Sequence, residues 1–347
     1  AAEMWAQQHS FFVYRSDSVD SLASCCRLRN ELQDNTFSYT LGAGGVATGS
    51  KCVMTINVNR LVQNAIWDTP LKDIRDAMRE QVEKVHKYLL AFNDILSERR
   101  RSGLLPVYDA GFVSPEKQYL TIGINGFLEG AESLGIAIDA DNPKYAAYAD
   151  AVLQPIYEAN RLARKPGLLW NTEMVPAENL GVKNAAWDHQ INLFVPRDCY
   201  NSYFYPVEDP SVNVLDKLKM HGSLFTRYLD GGSACHINLD DHLTKQQYRL
   251  LLQTAIRTGC NYFTFNIPNT VCNKCGHIDK RYLKACPACH SDDLDYLTRV
   301  IGYMCGSTAL DYATRVIGYL KRVSRFAAER QTEEHKRYYA KGLEEYR

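Results

Sequence analysis

The stretch TKQQYRLLLQTAIRTGCNYFTFN, residues 244–266, reads as one helix that leads directly into one strand. Thr244 and Gln247 have the spacing of a capping box, in which each side chain satisfies a backbone N–H at the start of a helix. We expect the helix to end at Gly259, because glycine adopts left-handed dihedrals at little cost. The aromatic run at residues 262–266 then favours a strand. A helix that leads into a strand is a repeating unit of α/β folds.

The same alternation of helix and strand recurs through the first 270 residues. Apolar residues three and four positions apart predict a helix over residues 72–100, and Pro143 begins a second helical segment that ends near residue 164. Alternating or apolar runs predict strands at residues 53–58, 119–124 and 236–239. Strands that alternate with long helices predict an α/β fold with parallel strands.

The composition excludes several classes of protein. The 347 residues carry no formal net charge, whereas an electrostatic nucleic-acid binder has a basic excess. No segment approaches the roughly 18 apolar residues of a membrane-spanning helix, and the first residues lack the pattern of a signal peptide. The 11 cysteines are odd in number and include Cys-x-x-Cys pairs, which argues against a disulfide framework. We therefore expect a protein of the reducing cytoplasm.

Four cysteines form the clearest chemical motif of the chain. Cys272 and Cys275 make one Cys-x-x-Cys pair, and Cys286 and Cys289 make a second pair after ten intervening residues. Each pair directs two thiolates toward one point, and two pairs complete the tetrahedral sulfur site that Zn²⁺ prefers. Because every position is a cysteine, we expect a closed, structural zinc site. An iron site of the rubredoxin type is the alternative.

A 16-residue segment that begins at the last of these cysteines is written twice. Residues 289–304 read CHSDDLDYLTRVIGYM and residues 305–320 read CGSTALDYATRVIGYL, with eleven identical positions. Both copies contain Arg-Val-Ile-Gly-Tyr, so Gly302 and Gly318 occupy equivalent positions. A backbone radical at Cα needs a residue without a side chain, because delocalisation into both flanking peptide groups requires a planar centre. The alternative is a glycine that occupies a turn after a strand.

Arg-Val-x-Gly-Tyr after a four-cysteine cluster resembles the radical-bearing loop of glycyl radical enzymes. Longer segments resemble the anaerobic (class III) ribonucleoside-triphosphate reductases, and this resemblance extends over about residues 9–340. The segments that carry the resemblance are residues 17–30, 103–112, 171–183, 196–204, 226–232 and 258–272. The chain is therefore identified, by resemblance, with the C-terminal half of that family.

The resemblance implies a ten-stranded α/β barrel made of two five-stranded halves, with a finger loop that carries the active-site cysteine through its centre. For this chain it implies a C-terminal part of the catalytic barrel over residues 1–270, with the finger loop at about residues 20–50. A zinc-binding module of the ribbon type would follow over residues 271–292. The duplicated glycyl radical loop and tail would occupy residues 293–347.

The resemblance also implies an enzyme that reduces ribonucleoside triphosphates to 2′-deoxyribonucleoside triphosphates. In the family, a separate radical S-adenosylmethionine activase removes a hydrogen atom from the glycine, and the glycyl radical then generates a cysteine thiyl. The thiyl removes the ribose 3′ hydrogen, and water leaves from C2′. Formate or a thioredoxin-type protein supplies the reducing equivalents. A homodimer is a further expectation of the resemblance.

Individual residues take roles from this resemblance. Cys26 matches the thiyl position, since the family pattern is a cysteine directly followed by arginine. Backbone N–H groups at a helix start near Glu178 and Asn179, together with Lys183, are candidates for binding the substrate triphosphate. The alternative there is a capped turn with a surface lysine. Asn201 is a further candidate for a polar contact with the substrate.

Two features depart from the family pattern. Family members are roughly twice this length, so we expect the other half of the barrel, and any ATP-binding regulatory domain, to lie outside this chain. The chain would then be a fragment or one part of a split enzyme. The alternative function is a subunit that complements a split or damaged reductase without turnover of its own.

The duplication leaves the position of the radical open. Gly302 keeps the family spacing from the four cysteines. Gly318 keeps the family's downstream sequence, which begins at Leu320 and includes a basic, tyrosine-rich end. Because that tail is expected to help seat the loop, the downstream context favours Gly318.

Overall fold

The computed structural model describes residues 47–66, 70–111, 113–175, 178–209, 211–239, 242–266, 269–279 and 283–300, with shorter pieces at residues 2, 12–14, 21–23, 29–31, 281, 303–307, 312–316 and 319–322. Its helices are α1 (Val58–Ala65), α2 (Pro70–Arg101), α3 (Pro106–Asp109), α4 (Phe127–Ser133), α5 (Pro143–Ala163), α6 (Glu178–Gln190), α7 (Val214–Lys219) and α8 (Lys245–Thr258), with a π-helical segment (Met220–Leu224) directly after α7. Its strands are β1 (Phe12–Tyr14), β2 (Ser21–Ala23), β3 (Arg29–Glu31), β4 (Ala47–Asn57), β5 (Val113–Asn125), β6 (Leu169–Met174), β7 (Cys235–Asn238), β8 (Tyr262–Asn266), β9 (Asn269–Cys272), β10 (Ile278–Asp279), β11 (Leu294–Val300), β12 (Tyr303–Ser307), β13 (Tyr312–Val316) and β14 (Tyr319–Arg322).

Five parallel strands form the central layer. β4 pairs with β5 and β5 pairs with β6, and β7 pairs with β8 in the same parallel sense. β1 adds an antiparallel strand on the other side of β8. The two groups meet where Glu173 bridges to Gly232, with the Met174 N–H donating to the Gly232 carbonyl at 3.2 Å. The strands therefore follow one another across the layer in the order β4-β5-β6-β7-β8-β1.

Hydrogen bonds from the segment before β7 join that strand to β6. The Gly231 N–H donates to the Thr172 carbonyl at 2.8 Å, and the Thr172 N–H donates to the Asp230 carboxylate at 2.8 Å. Arg164 pairs with the other oxygen of the same carboxylate. A Cβ atom on Gly231 would lie 2.6 Å from the Thr172 carbonyl oxygen, so this approach requires a residue without a side chain.

The long helices α2 and α5 pack against each other and against the central layer. α2 presents Ile74, Met78, Val82, Val85 and Leu89 to the core, and each of them is buried. This is the apolar stripe that the three- and four-residue spacing predicts. No helix among the described residues combines the length and the low polarity needed to cross a bilayer.

The structure confirms the α/β class and most predicted elements. Thr244 and Gln247 form the reciprocal capping box of α8, and Gly259 follows that helix with a φ of 78°. The strand predicted at residues 53–58 ends one residue earlier than expected. The reason is that the Asn57 side chain accepts a hydrogen bond from the Arg60 N–H and so starts α1 at the next residue.

A second, antiparallel sheet follows the central layer. Its strands lie in the order β10-β9-β11-β12-β13-β14, so it contains the strands that precede and follow positions 302 and 318 in the sequence. β2 and β3 form a separate antiparallel pair, and among the described strands no sheet closes into a barrel. The expected division of the chain near residues 270 and 292 stays a prediction.

Replacing Gly231 with alanine tests the junction between β6 and β7. The added Cβ would overlap the Thr172 carbonyl, so we expect the free energy of unfolding to fall by about 2 kcal/mol or more. Gly135→Ala is the matched control, because Gly135 has a φ of 65° but nothing within 4 Å of its Cβ position. It should cost only about 1 kcal/mol. Urea denaturation measures both, and an equal loss in the two variants would contradict the role of Gly231.

Candidate functional site

The carboxyl ends of β4 and β5 place two asparagines at one edge of the central layer. Asn57 ends β4, and Asn125 ends β5. The Asn125 amide donates to the Tyr200 and Asn201 carbonyls at 3.5 and 3.3 Å, and it accepts a hydrogen bond from Asn184 of α6 at 2.9 Å. The strand ends, α6 and the segment around residue 200 therefore converge at the edge where parallel α/β layers bind ligands.

Asp188 of α6 is the hydrogen-bond acceptor that holds these elements together. Its fully buried carboxylate accepts from Asn57 at 3.0 Å, from Asn59 at 3.2 Å, from Arg60 at 2.6 Å and from the Tyr200 hydroxyl at 2.7 Å. Burial raises the pKa of Tyr200, and the hydrogen bond to Asp188 raises it further. The phenol therefore remains a protonated donor at physiological pH.

Arg197 fixes the segment that carries Asn201. Its guanidinium contacts Glu129 at 2.7 Å, Glu132 at 2.7 Å and Glu208 at 3.0 Å. The Asn201 N–H donates to the same Glu129 carboxylate at 2.7 Å. Burial alone would lower the pKa of Arg197, but the surrounding carboxylates raise it above its usual value. Burial raises the pKa of Glu129, and Arg197 opposes that rise.

The predicted substrate residues lie close together but differ in burial. Asn179 and Lys183 are exposed on the first two turns of α6, whereas Asn201 is buried. The Tyr200 N–H donates to the Gly181 carbonyl at 3.2 Å, which brings the Asn201 segment against the start of α6. The structure thus gathers these three residues at one end of the central layer.

Several predicted residues lie outside the described part of the chain. These are Cys26, Gly302 and Gly318, together with the side chain of Glu178, whose backbone begins α6. Their roles stay predictions.

Sequence reasoning identified Glu173 as a possible polar contact in the barrel but missed the rest of a polar face on the central strands. On β6, the Thr172 hydroxyl accepts a hydrogen bond from Asn160 of α5 at 2.9 Å, so Thr172 faces that helix. Side chains alternate along a strand, so Asn171 and Glu173 point to the opposite face. Consecutive parallel strands lie side by side here, and right-handed crossovers place their connecting helices on one face of such a layer. The opposite face is then free of those helices.

Strands β7 and β8 continue this polar face. Phe265 of β8 packs on Tyr248 of α8, so Thr264 and Asn266 point away from that helix. The Asn266 amide donates to Asn238 of β7 at 2.9 Å. The buried polar side chains of this face, which we call the inner face, are Asn171, Glu173, His236, Asn238, Thr264 and Asn266. Polar residues at alternate positions of buried parallel strands were the available signal, because such strands are usually apolar throughout.

Asn171 is one member of the inner face whose hydrogen-bonding capacity the described residues leave unused. Its side chain is buried, and neither of its polar atoms has a hydrogen-bond partner in the part of the chain that the structure describes. A buried amide without partners costs about 1–3 kcal/mol, so it marks a position where a bound molecule or a water would be stabilising.

The two cysteine pairs adopt the same turn. In the first, the Gly276 N–H donates to the Cys272 carbonyl at 2.9 Å; in the second, the His290 N–H donates to the Cys286 carbonyl at 2.9 Å. Gly276 and His290 have left-handed φ values of 73° and 57°. Each turn folds the chain back so that both thiols of its pair point to one side. Among the described residues, the group of possible metal ligands consists of the four cysteine sulfurs and does not include His277.

The four thiols fit a tetrahedral metal site. The Cys272 and Cys289 sulfurs lie 3.5 Å apart, the Cys275 and Cys286 sulfurs lie 3.6 Å apart, and all four sulfurs lie within 4.8 Å of one another. A tetrahedron of sulfurs about 2.3 Å from zinc has edges of about 3.8 Å. The residues that sequence spacing identified are therefore gathered at the distances that a four-thiolate site needs.

The two copies of the duplicated segment pair in the same register around their glycines. Val300 of β11 lies opposite Tyr303 of β12, and Val316 of β13 lies opposite Tyr319 of β14. The copies differ in their neighbours, since β11 also pairs with β9, the strand that ends at Cys272. The first copy is therefore adjacent to the cysteine site, and the second copy is further along the sheet.

Replacing Cys286 with serine tests the metal site. Purified protein should contain about one zinc ion per chain, and Cys286→Ser should lose most of it because one of four ligands is gone. Cys52→Ser, a half-buried cysteine of β4, is the control and should keep its zinc. Elemental analysis by mass spectrometry measures the content. Iron in place of zinc, or full zinc retention in Cys286→Ser, would contradict the assignment.

Replacing Arg197 with methionine tests the carboxylate cluster. Glu129 would remain buried without its cation, so we expect a loss of about 3–5 kcal/mol at pH 8. The pKa of Glu129, which burial already raises, would rise further in the variant. The variant is therefore more stable at low pH, where Glu129 is protonated, and it loses stability as pH rises through that pKa. The loss should therefore shrink at pH 5, as measured by urea denaturation. Arg79→Met removes an exposed pair with Asp76 and should cost less than about 1 kcal/mol at both pH values. A pH-independent loss in Arg197→Met would contradict this account.

Comparison with known proteins gives a family and a set of similar structures. The family model of the anaerobic ribonucleoside-triphosphate reductase matches residues 2–304. A structure described as an anaerobic ribonucleotide reductase has a TM-score of 0.76 and 28% identity, with 96% of this chain and 50% of that chain covered. No match was found among curated proteins.

Two structures of the anaerobic ribonucleotide reductase from Thermotoga maritima are also similar. The one with dATP bound in the specificity site has a TM-score of 0.70 and 29% identity, with 85% of this chain and 48% of that chain covered. The one in complex with dATP and CTP has a TM-score of 0.70 and 28% identity, with 94% of this chain and 50% of that chain covered. The chain thus spans about half the length of these proteins. Since the family model matches most of its residues, the chain belongs to the anaerobic ribonucleoside-triphosphate reductase family.

Proposed function

We propose that this chain contributes the radical-bearing part of an enzyme that reduces ribonucleoside triphosphates to 2′-deoxyribonucleoside triphosphates under anaerobic conditions. The observation that carries the proposal is the family match over residues 2–304, a range that contains Cys26, the four-thiol site and Gly302. A chain that kept only a structural role would need neither the cysteine nor the glycine.

We infer that the five parallel strands form one half of a ten-stranded barrel. The polar inner face supports this, because buried polar side chains need an enclosed, ligand-binding interior to face. The free edge of β4 would then pair with strands of a second half-barrel, from other sequence or from a partner chain. In this arrangement the inner face would line the substrate-binding site.

The substrate that we propose is a ribonucleoside triphosphate. The T. maritima relative is described in complex with dATP and CTP, so nucleoside triphosphates are ligands of that protein. In this chain, backbone N–H groups at the start of α6, with Glu178, Asn179 and Lys183 beside them, would hold the phosphates. Asn201 and the unpaired amide of Asn171 would contact the remainder of the nucleotide.

The chemistry that we propose follows from the residues of the finger loop and the duplicated segment. A radical S-adenosylmethionine activase would remove a hydrogen atom from one glycine, and that glycyl radical would take the thiol hydrogen of Cys26. The thiyl would remove the 3′ hydrogen of the ribose, after which water leaves from C2′. Formate or a thioredoxin-type protein would supply the electrons. The four cysteines, with zinc bound, would hold β9 and its neighbour β11 in place.

Sheet order and sequence context favour different glycines as the radical site. Gly302 lies within the family match and follows β11, which pairs directly with the metal-site strand β9. Gly318 precedes the downstream sequence that resembles the family's C-terminal tail. We propose Gly302 as the first candidate on the ground of its neighbours and retain Gly318 as the second.

Cleavage by oxygen tests both the function and the position of the radical. The chain is activated anaerobically with a cognate activase and S-adenosylmethionine and is then exposed to air, which cuts a polypeptide at a glycyl radical. Intact-mass analysis should show a cut at Gly302 that Gly302→Ala abolishes and Gly318→Ala leaves unchanged. A cut that only Gly318→Ala abolishes would reverse the choice of glycine.

An uncut chain, with an activase that does cleave a control reductase, would mean that this chain is not activated by itself. It would leave the alternative function, a subunit that complements a split or damaged reductase. Adding the missing half of the barrel as a separate chain would then restore cleavage under that alternative.

A further inference from the structure

A cavity of about 350 Å³ lies at the amino ends of β4 and β5, at the opposite end of the strands from the candidate active site. Its walls come from these two strands, from the end of α2, from α3 and from the loop before β6. Lys51 in the cavity and Asn57 at the candidate active site are six residues apart on β4, which places them roughly 20 Å from each other. The cavity is therefore separate from the site described above.

An irregularity in β4 directs Lys51 into this cavity. Ser50 pairs with Tyr119 and Cys52 pairs with Leu120, so Lys51 is an extra residue with no opposite on β5. A bulge of this kind bends the strand and redirects the side chain of the extra residue, and bulges occur preferentially beside functional sites. Lys51 lines the cavity as a result.

A second irregularity, in β5, contributes the opposite wall. Ala47 pairs with Val113 and Gly49 pairs with Gln118, so β5 carries several surplus residues between those two pairs. Glu116 lies in the surplus segment and also lines the cavity. Both breaks in the β4–β5 ladder therefore open into the same space, and two independent defects at one place indicate that the opening is built into the fold.

The last turns of α2 close the cavity with polar and cationic side chains. Asn93, Ser97, Arg100 and Arg101 lie on this wall, at the three- and four-residue spacing of one helix face. The Lys51 ammonium donates to the Asn93 side chain at 2.9 Å. One of its three N–H donors is thus used by the protein, and two remain for a ligand.

The charges of the cavity are not balanced. Arg100 pairs with both acidic residues of the lining, Glu116 at 3.3 Å and Asp109 at 3.9 Å. Among the described residues, neither Lys51 nor Arg101 has a carboxylate within 4.0 Å. Burial lowers the pKa of Lys51, and Glu116 acts in the opposite sense. Burial of the Lys51 ammonium is destabilising, and Glu116 offsets that cost only in part because it is paired with Arg100. An anion bound beside Lys51 would offset the cost further.

We propose that this cavity binds a small metabolite through a phosphate or carboxylate group, which Lys51 and Arg101 hold by charge-assisted hydrogen bonds. Such bonds are stronger than those between neutral groups, and a volume of this size lies within the range of small-molecule sites. The site is independent of the reductase activity proposed above.

Anion binding by the full chain tests this proposal. Inorganic phosphate, pyrophosphate and citrate are titrated separately at constant ionic strength, and binding is followed by calorimetry and by the rise in Tm. We expect one of them to saturate, and the anion that binds most tightly distinguishes a phosphate site from a carboxylate site. Lys51→Met and Arg101→Met should each weaken that binding about tenfold or more.

Two further variants distinguish a specific loss of anion binding from misfolding. Lys51→Arg keeps the positive charge and should retain most of the affinity. Lys87→Met removes an exposed lysine of α2 that does not line the cavity, and it should bind as the unmodified chain does. Binding that fails to saturate for all three anions, or equal affinity in Lys51→Met and Lys87→Met, would overturn the proposal.

Discussion

The close approach of Gly231 to Thr172 is the interaction on which the central layer depends. Its hydrogen bond, at 2.8 Å, joins β6 to the segment before β7, and the Asp230 carboxylate adds a second bond to the same residue of β6. Together with the neighbouring bridge between Glu173 and Gly232, this junction connects two groups of strands that otherwise share no ladder. With it, the strands β4-β5-β6 and β7-β8 form one layer, and their buried polar side chains share the inner face.

Burial of polar groups is the second constraint, because each such group needs a partner when water is absent. At the edge of the layer the chain supplies the partners itself: Asp188 accepts from four side chains, and Arg197 binds three carboxylates. On the inner face the chain supplies only some of the partners. Asn266 pairs with Asn238, whereas Asn171 has no partner among the described residues. The first arrangement fixes the fold, and the second leaves capacity for a ligand.

The metal site and the duplicated segment are coupled through one strand. β9 ends at Cys272, so it supplies a ligand, and along the same backbone it pairs with β11. Any metal that orders the four thiols therefore also orders the strand that leads to Gly302. The second copy repeats the strand pairing of the first but lies two strands further from β9, so its strands contact the first copy and not the strand that carries Cys272.

The sequence alone determined the features that depend on local spacing. The capping box of Thr244, the stripe of α2 and the two cysteine pairs follow from separations of three or four residues, and the structure confirms each of them. Long motifs also determined the family. Tertiary structure decided what depends on contacts between distant residues. Examples are the convergence of Asn57 and Asp188, the cavity that Lys51 and Arg101 line together, and the inner face. No local pattern encodes these contacts, because they arise only when strands far apart in the chain lie side by side.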